Sequence, residues 1–88
     1  MKSRTHRRFW NEFNKLPAHV QCLAWDKFHV WQPDPFHPSM QFIPLVGSVW
    51  SVRIGDHYRV LARRDRDLVV WFWIGTHEEY NNFIARLR

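Results

Sequence analysis

The chain has 88 residues, 13 Lys+Arg against 8 Asp+Glu for a formal charge of +5, and 17% aromatic residues. A chain this short makes one domain, 1–88, with a limited core, and no apolar run approaches the ~18 residues of a membrane span. The lone Cys22 excludes an internal disulfide, and the basic start running into Phe9 and Trp10 lacks the apolar stretch of a signal peptide, so the expected location is the cytoplasm.

Residues 3–6 read as a short strand. From Arg7 to Lys15, Phe9, Trp10, Phe13 and Leu16 recur at helical spacing. Pro17 opens a second helix, where its missing N–H costs nothing, with Val20, Leu23, Ala24, Phe28 and Trp31 as its stripe. The short link between them predicts an antiparallel helical hairpin. Cys22, within the second helix, is expected as a small buried hydrophobe.

Pro33, Pro35 and Pro38 make a stiff connector. Gln41–Val46 is then a strand that Pro44 confines to an edge or a bulge. Val49–Ile54, Tyr58–Arg63 and Leu68–Ile74 are the strongest strands, joined by turns at Gly55-Asp56 and at Arg64-Asp65-Arg66-Asp67. Thr76 followed by Glu79 is a capping box, opening a last helix with the stripe Tyr80, Phe83, Ile84 and Leu87. The predicted fold is α+β: two N-terminal helices packed on a small antiparallel-dominated sheet, a three-strand meander plus one or two extra strands, and a short C-terminal helix. Helices cover one sheet face and leave the other solvated or in use.

Ten of the thirteen cations are arginines, whose planar forks suit phosphate. The register of the first hairpin decides where they point. A three-residue loop, Gly55-Asp56-His57, aligns the apolar sets of both strands and puts Arg53 opposite Arg59. A two-residue loop would bury Arg59 against Trp50 and Val52, at several kcal/mol. The three-residue loop is therefore expected. It makes two like charges direct neighbours, which a fold tolerates when an anion sits between them. The plainer alternative is that both are solvated or paired with Asp56 and Glu78. Arg63, Arg64 and Arg66 read as a solvated turn, partly neutralised by Asp65 and Asp67.

His77 and Tyr80 are neighbours on the first turn of the last helix, where free N–H groups attract anions. A histidine there can transfer a proton at neutral pH. Tyr80 equally opens the apolar stripe. His57 stands beside the arginine pair. His6, His19 and His29 are read as surface residues, and His37 lies in the proline connector. No metal-ligand spacing or glycine-rich phosphate loop occurs, and no cofactor is expected.

The segments RIGDHYRV (53–60) and IGTHEEY (74–80), with DPFHPSM (34–40) and the preceding helical pattern, resemble the RelE/ParE superfamily of toxins from bacterial toxin–antitoxin pairs. The resemblance spans essentially the whole chain. It implies a small sheet with two N-terminal helices on one face and a cognate antitoxin as partner. In the RelE-like branch it implies metal-free cleavage of mRNA on the ribosome, the 2′-hydroxyl attacking its neighbouring phosphate; in the ParE-like branch, inhibition of DNA gyrase. Carried onto this chain, Arg53 and Arg59 would stabilise charge on the phosphate, and His77 and Tyr80 would transfer protons or stack a base. Ser51, His57 and Arg63 would contact RNA. Where RelE has lysines on the first hairpin strand, this chain has Ser51 and Arg53. Arginine does not give up its proton, so the general base stays open between His77, His57 and Glu78. The third reading is a basic binding module that holds RNA or an acidic peptide without cutting it.

Overall fold

The computed structural model describes residues 1–87, with the Leu87 side chain of the predicted stripe lying outside what is described. Five strands, β1 (Lys2–Thr5), β2 (Ile43–Val46), β3 (Val49–Ile54), β4 (Tyr58–Asp65) and β5 (Leu68–Thr76), form one sheet in the order β1-β5-β4-β3-β2. Neighbours from β2 to β5 are antiparallel, while β1 pairs parallel with β5. Both extra strands are edges, and Pro44 sits in the outer one, beside a register shift between Pro44 and Val46. This is the α+β architecture expected. No described helix is long and apolar enough to cross a membrane.

Helices α1 (Arg7–Phe13) and α2 (Ala18–Trp31) cover one face, and α1 is shorter than predicted. Trp25 joins them, its ring centroid 6.0 Å from Trp10 and 6.4 Å from Phe13. Gln21 closes the connection by donating to the carbonyls of Phe13 and Leu16 at 3.0 and 3.3 Å. Phe9, Phe13, Trp31, Met40 and Phe42 pack there on Val52, Ile54, Val60, Ala62 and Trp71. Trp31 is fully buried, yet its Nε1–H lacks an acceptor, a cost of about 1–3 kcal/mol that nothing in the structure explains. Cys22 is exposed, because it falls on the outer face of α2 rather than in its stripe.

Two of the exposed histidines are also caps. His6 Nδ1 accepts from Arg8 N–H at 3.1 Å at the start of α1, and His37 Nδ1 accepts from Ser39 N–H at 3.2 Å at a 3-10 turn over Pro38–Met40. Each satisfies a helix-start donor that Ser, Thr, Asp or Asn commonly takes.

Helix α3 (His77–Leu87) does not join the other two. Its Tyr80 and Phe83 pack with Val49, Leu61, Phe72 and Trp73, on the sheet face that carries Leu61. That face, expected open, is partly roofed. The reason lies in β5. Ala62 pairs with Trp71, but Leu61 pairs with Trp73, so Phe72 is an extra residue in a β-bulge. Simple alternation would put Trp71 and Trp73 on one face. The bulge resets the phase, so Val69, Trp71 and Ile74 face α1 and α2 while Phe72 and Trp73 face α3.

Candidate functional site

The hairpin register is the one that keeps Arg59 off the Trp50 face: Ile54 opposes Tyr58, and Arg53 opposes Arg59. Gly55 makes the turn at φ 60°, a conformation that suits glycine. On its other side Arg59 opposes Gly75, and Tyr58 opposes Thr76. The ladder continues one step into α3, since His77 N–H donates to the His57 carbonyl at 2.7 Å. That bond pins the start of α3 against the hairpin turn. Three separate sequence segments thus meet at one end of the sheet.

The capping box forms as predicted. Thr76 Oγ1 accepts from Glu79 N–H at 3.1 Å, and Glu79 Oε1 accepts from Thr76 N–H at 3.1 Å and Thr76 Oγ1 at 2.9 Å. Glu79 is therefore committed to structure, while Glu78 is exposed beside it.

The two arginines differ. Arg53 is a turn clamp, its Nε donating to the Gly55 carbonyl at 2.9 Å and its Nη2 to Asp56 Oδ1 at 2.6 Å. Arg59 donates from Nη1 to its neighbour's carbonyl, Tyr58 O, at 3.0 Å, and among the described residues no carboxylate lies within ion-pair distance. A guanidinium has five N–H donors, so most of this one remains unspent. Burial pushes the Arg59 pKa below its ordinary value, and the Arg53 charge lowers it further, against opposing effects of Tyr80 and Asp56. Both causes mean that the cation is held without full compensation.

Tyr80 bridges the groups. The Arg59 Cζ lies 5.8 Å from its ring centroid, and the His77 ring stacks on it at 5.8 Å and 16°. Asn81, one helical turn past His77, places its amide nitrogen 3.3 Å from His77 Nδ1. With the amide donating there, a neutral imidazole carries its proton on Nε2. Sequence reasoning missed Asn81, although four-residue spacing from His77 is the signal that finds it.

The structure therefore brings Arg53, Arg59, His57, His77 and Tyr80 together. It does not bring Ser51 to the surface. Ser51 is 2% exposed and opposes the buried Leu61, so its placement as an RNA contact is corrected: the roof formed by α3 and its apolar partners excludes it. Arg63 is exposed, but it lies farther along β4 with its Cζ 5.6 Å from the Phe72 ring. Arg64 is not a solvated turn residue. It belongs to β4 and lies 4.6 Å over Trp50 and 5.4 Å over Phe36, a cation–π arrangement.

A family model described as ParE-like toxin domain matches residues 33–82. Among solved structures, the RelB-RelE antitoxin–toxin complex from Methanococcus jannaschii matches with a TM-score of 0.74 at 10% identity, over 91% of this chain and 96% of that one. A YoeB/ParE toxin from Agrobacterium tumefaciens matches with a TM-score of 0.66 at 20% identity, over 88% and 99%. The isolated E. coli RelE toxin matches with a TM-score of 0.65 at 15% identity, over 99% and 98%. At these identities the likeness is one of fold. No curated protein matches the sequence.

Proposed function

The chain belongs to the ParE-like toxin family, within the RelE/ParE superfamily of toxin–antitoxin systems, and we propose that it is an endoribonuclease that cleaves mRNA on the ribosome without a metal and is silenced by a cognate antitoxin. One observation carries the reading: an arginine with most of its donors unspent and a histidine lie against the same tyrosine ring. A gyrase inhibitor needs no such acid–base arrangement.

In the proposed reaction a scissile phosphate sits on Arg59. The 2′-hydroxyl oxygen bonds to phosphorus, the bond to O5′ breaks, and a cyclic phosphate and a free 5′-hydroxyl result. Arg59 stabilises the charge that grows on the non-bridging oxygens. His77, as an imidazolium, donates its Nε2 proton to the departing O5′, while Nδ1 keeps its proton and donates it to the Asn81 amide oxygen, the amide having turned over from its resting orientation. Tyr80 holds both groups in place. Arg53 braces the turn beneath them. His57 and Glu78, both exposed beside His77, are the two candidates to take the 2′-hydroxyl proton.

The test is induced expression of wild type, Arg59→Ala and His77→Ala, with mRNA 5′ ends and gyrase-bound DNA read from the same cultures. The expected result is new 5′ ends in mRNA, reduced about 10²–10³-fold by Arg59→Ala. Growth arrest with intact transcripts would refute the nuclease reading. The second reading, gyrase inhibition, is favoured by the ParE-like family model and by the commitment of Arg53 to Asp56. Gyrase-trapped broken DNA in those cultures would establish it.

A further inference from the structure

A cavity of about 230 Å³ lies on the opposite side of the sheet from Arg59, between β1, α1, α2 and the sheet. Its floor is Val52, Ile54 and Val60, and aromatic walls come from Phe9, Phe13 and Phe28. Two cations, Arg4 of β1 and Lys27 of α2, line it as well. Lys27 is half-buried there, and among the described residues neither cation has an ion-pair partner. The hydroxyl oxygens of β1 already accept hydrogen bonds, Ser3 Oγ from Trp71 Nε1 at 2.8 Å and Thr5 Oγ1 from Trp10 Nε1 at 2.9 Å, and their O–H groups can still donate. What the cavity offers a ligand is therefore apolar surface, hydrogen-bond donors and positive charge, with no carboxylate among the described residues of its lining.

We propose that this cavity is a binding site for a small aromatic carboxylate. An apolar cavity of roughly 150 Å³ suffices for benzene, so this one, at about 230 Å³, has room for a two-ring molecule. The rings stack among Phe9, Phe13 and Phe28, and the carboxylate meets Arg4 and Lys27. Lys27 is half-buried and Arg4 exposed, so both can turn a charged end toward an incoming carboxylate, and neither gives up an ion pair to do so. The site is independent of the nuclease reading, since none of the residues proposed for catalysis lines it.

The experiment is titration of the purified full chain with 2-naphthoate, followed by backbone amide NMR shifts, with neutral 2-naphthamide as comparator. Saturable shifts confined to β1, α1, α2 and the strands beneath them are expected, with the amide binding about fivefold more weakly, as the loss of a partly exposed ion pair implies. Arg4→Ala/Lys27→Ala, a change at the mouth that leaves the core intact, is expected to bring naphthoate down to the affinity of the amide. Ala24→Phe, which fills the cavity, is expected to abolish binding. Absence of saturation, shifts centred on Arg59 and His77 instead, or equal affinity for acid and amide would each overturn the proposal.

Discussion

Gly75 offers the sharpest test of how the bulge in β5 builds the α3 side of the sheet. A Cβ added there would lie 2.4 Å from Trp73 Cζ2 and 2.7 Å from Cη2, because the indole folds over the glycine. Trp73 is 6% exposed and stacks on Phe83 at 6.3 Å and 17°, so the ring has little room to withdraw. Overpacking of this kind costs about 1–3 kcal/mol. Displacing the stacked pair adds about 0.5–1.5 kcal/mol, and the reduced chain entropy of alanine returns about 0.4–1 kcal/mol. Gly75→Ala is therefore expected to destabilise by about 0.5–4 kcal/mol, which lowers Tm by at least ~2 °C for a domain of this size. Thermal unfolding by circular dichroism measures it. Trp73→Phe in the Gly75→Ala background should recover part of the loss, because it removes the atoms in conflict. A Gly75→Ala protein as stable as wild type, or more so, would show that the indole does not rest on Gly75 and would remove this account of how α3 is seated.

Arg59→Met is expected to leave Tm unchanged or raised while abolishing toxicity, because burial and Arg53 both disfavour the cation. A base whose folded pKa is depressed destabilises the fold below that pKa and ceases to do so as pH rises through it. For Arg59 that window lies far above neutrality, so the Tm difference between Arg59→Met and wild type should be flat from about pH 5 to 9. Thr76→Ala should cost about 1 kcal/mol and selectively speed hydrogen exchange of the α3 amides, since Thr76 holds both ends of the capping box. Asp56→Ala should cost less than about 1 kcal/mol in urea unfolding, because the Asp56 side chain is 80% exposed in its pair with Arg53. Arg66→Gly should stabilise by no more than about 1.5 kcal/mol in the same assay, since Arg66 holds φ 56° at the β4–β5 turn and the freer unfolded chain offsets part of the relief.

The Arg53–Arg59 register was readable because one alternative is costly: a one-residue slip drives a guanidinium into an aromatic core. The Thr76–Glu79 cap was readable because its donors and acceptors are local. The bulge at Phe72 was not. VVWFW is apolar on both parities, so alternation carries no phase there, and the phase is set by packing against α3 and the helical pair. With the bulge missed, the side on which α3 docks was missed too, and so was the burial of Ser51. The imidazole caps at His6 and His37 were missed because histidine is an uncommon residue at that position. At the site itself, composition and spacing named the groups, but not the difference between a clamped Arg53 and an unspent Arg59. That depends on where Asp56 falls after the turn closes.

The parallel seat of β1 beside β5 joins residues from distant parts of the chain: Lys2 pairs with Leu68, and Lys2 N–H donates to the Asp67 carbonyl at 2.7 Å. Such a pairing cannot form until β5 has been synthesised, and the loop it closes is among the most entropically costly in the molecule. On the ribosome, the first strand to emerge must wait for the fifth. The hairpin that carries the arginines can form beforehand, but the sheet edge next to β5 stays unfilled until translation is nearly through this region.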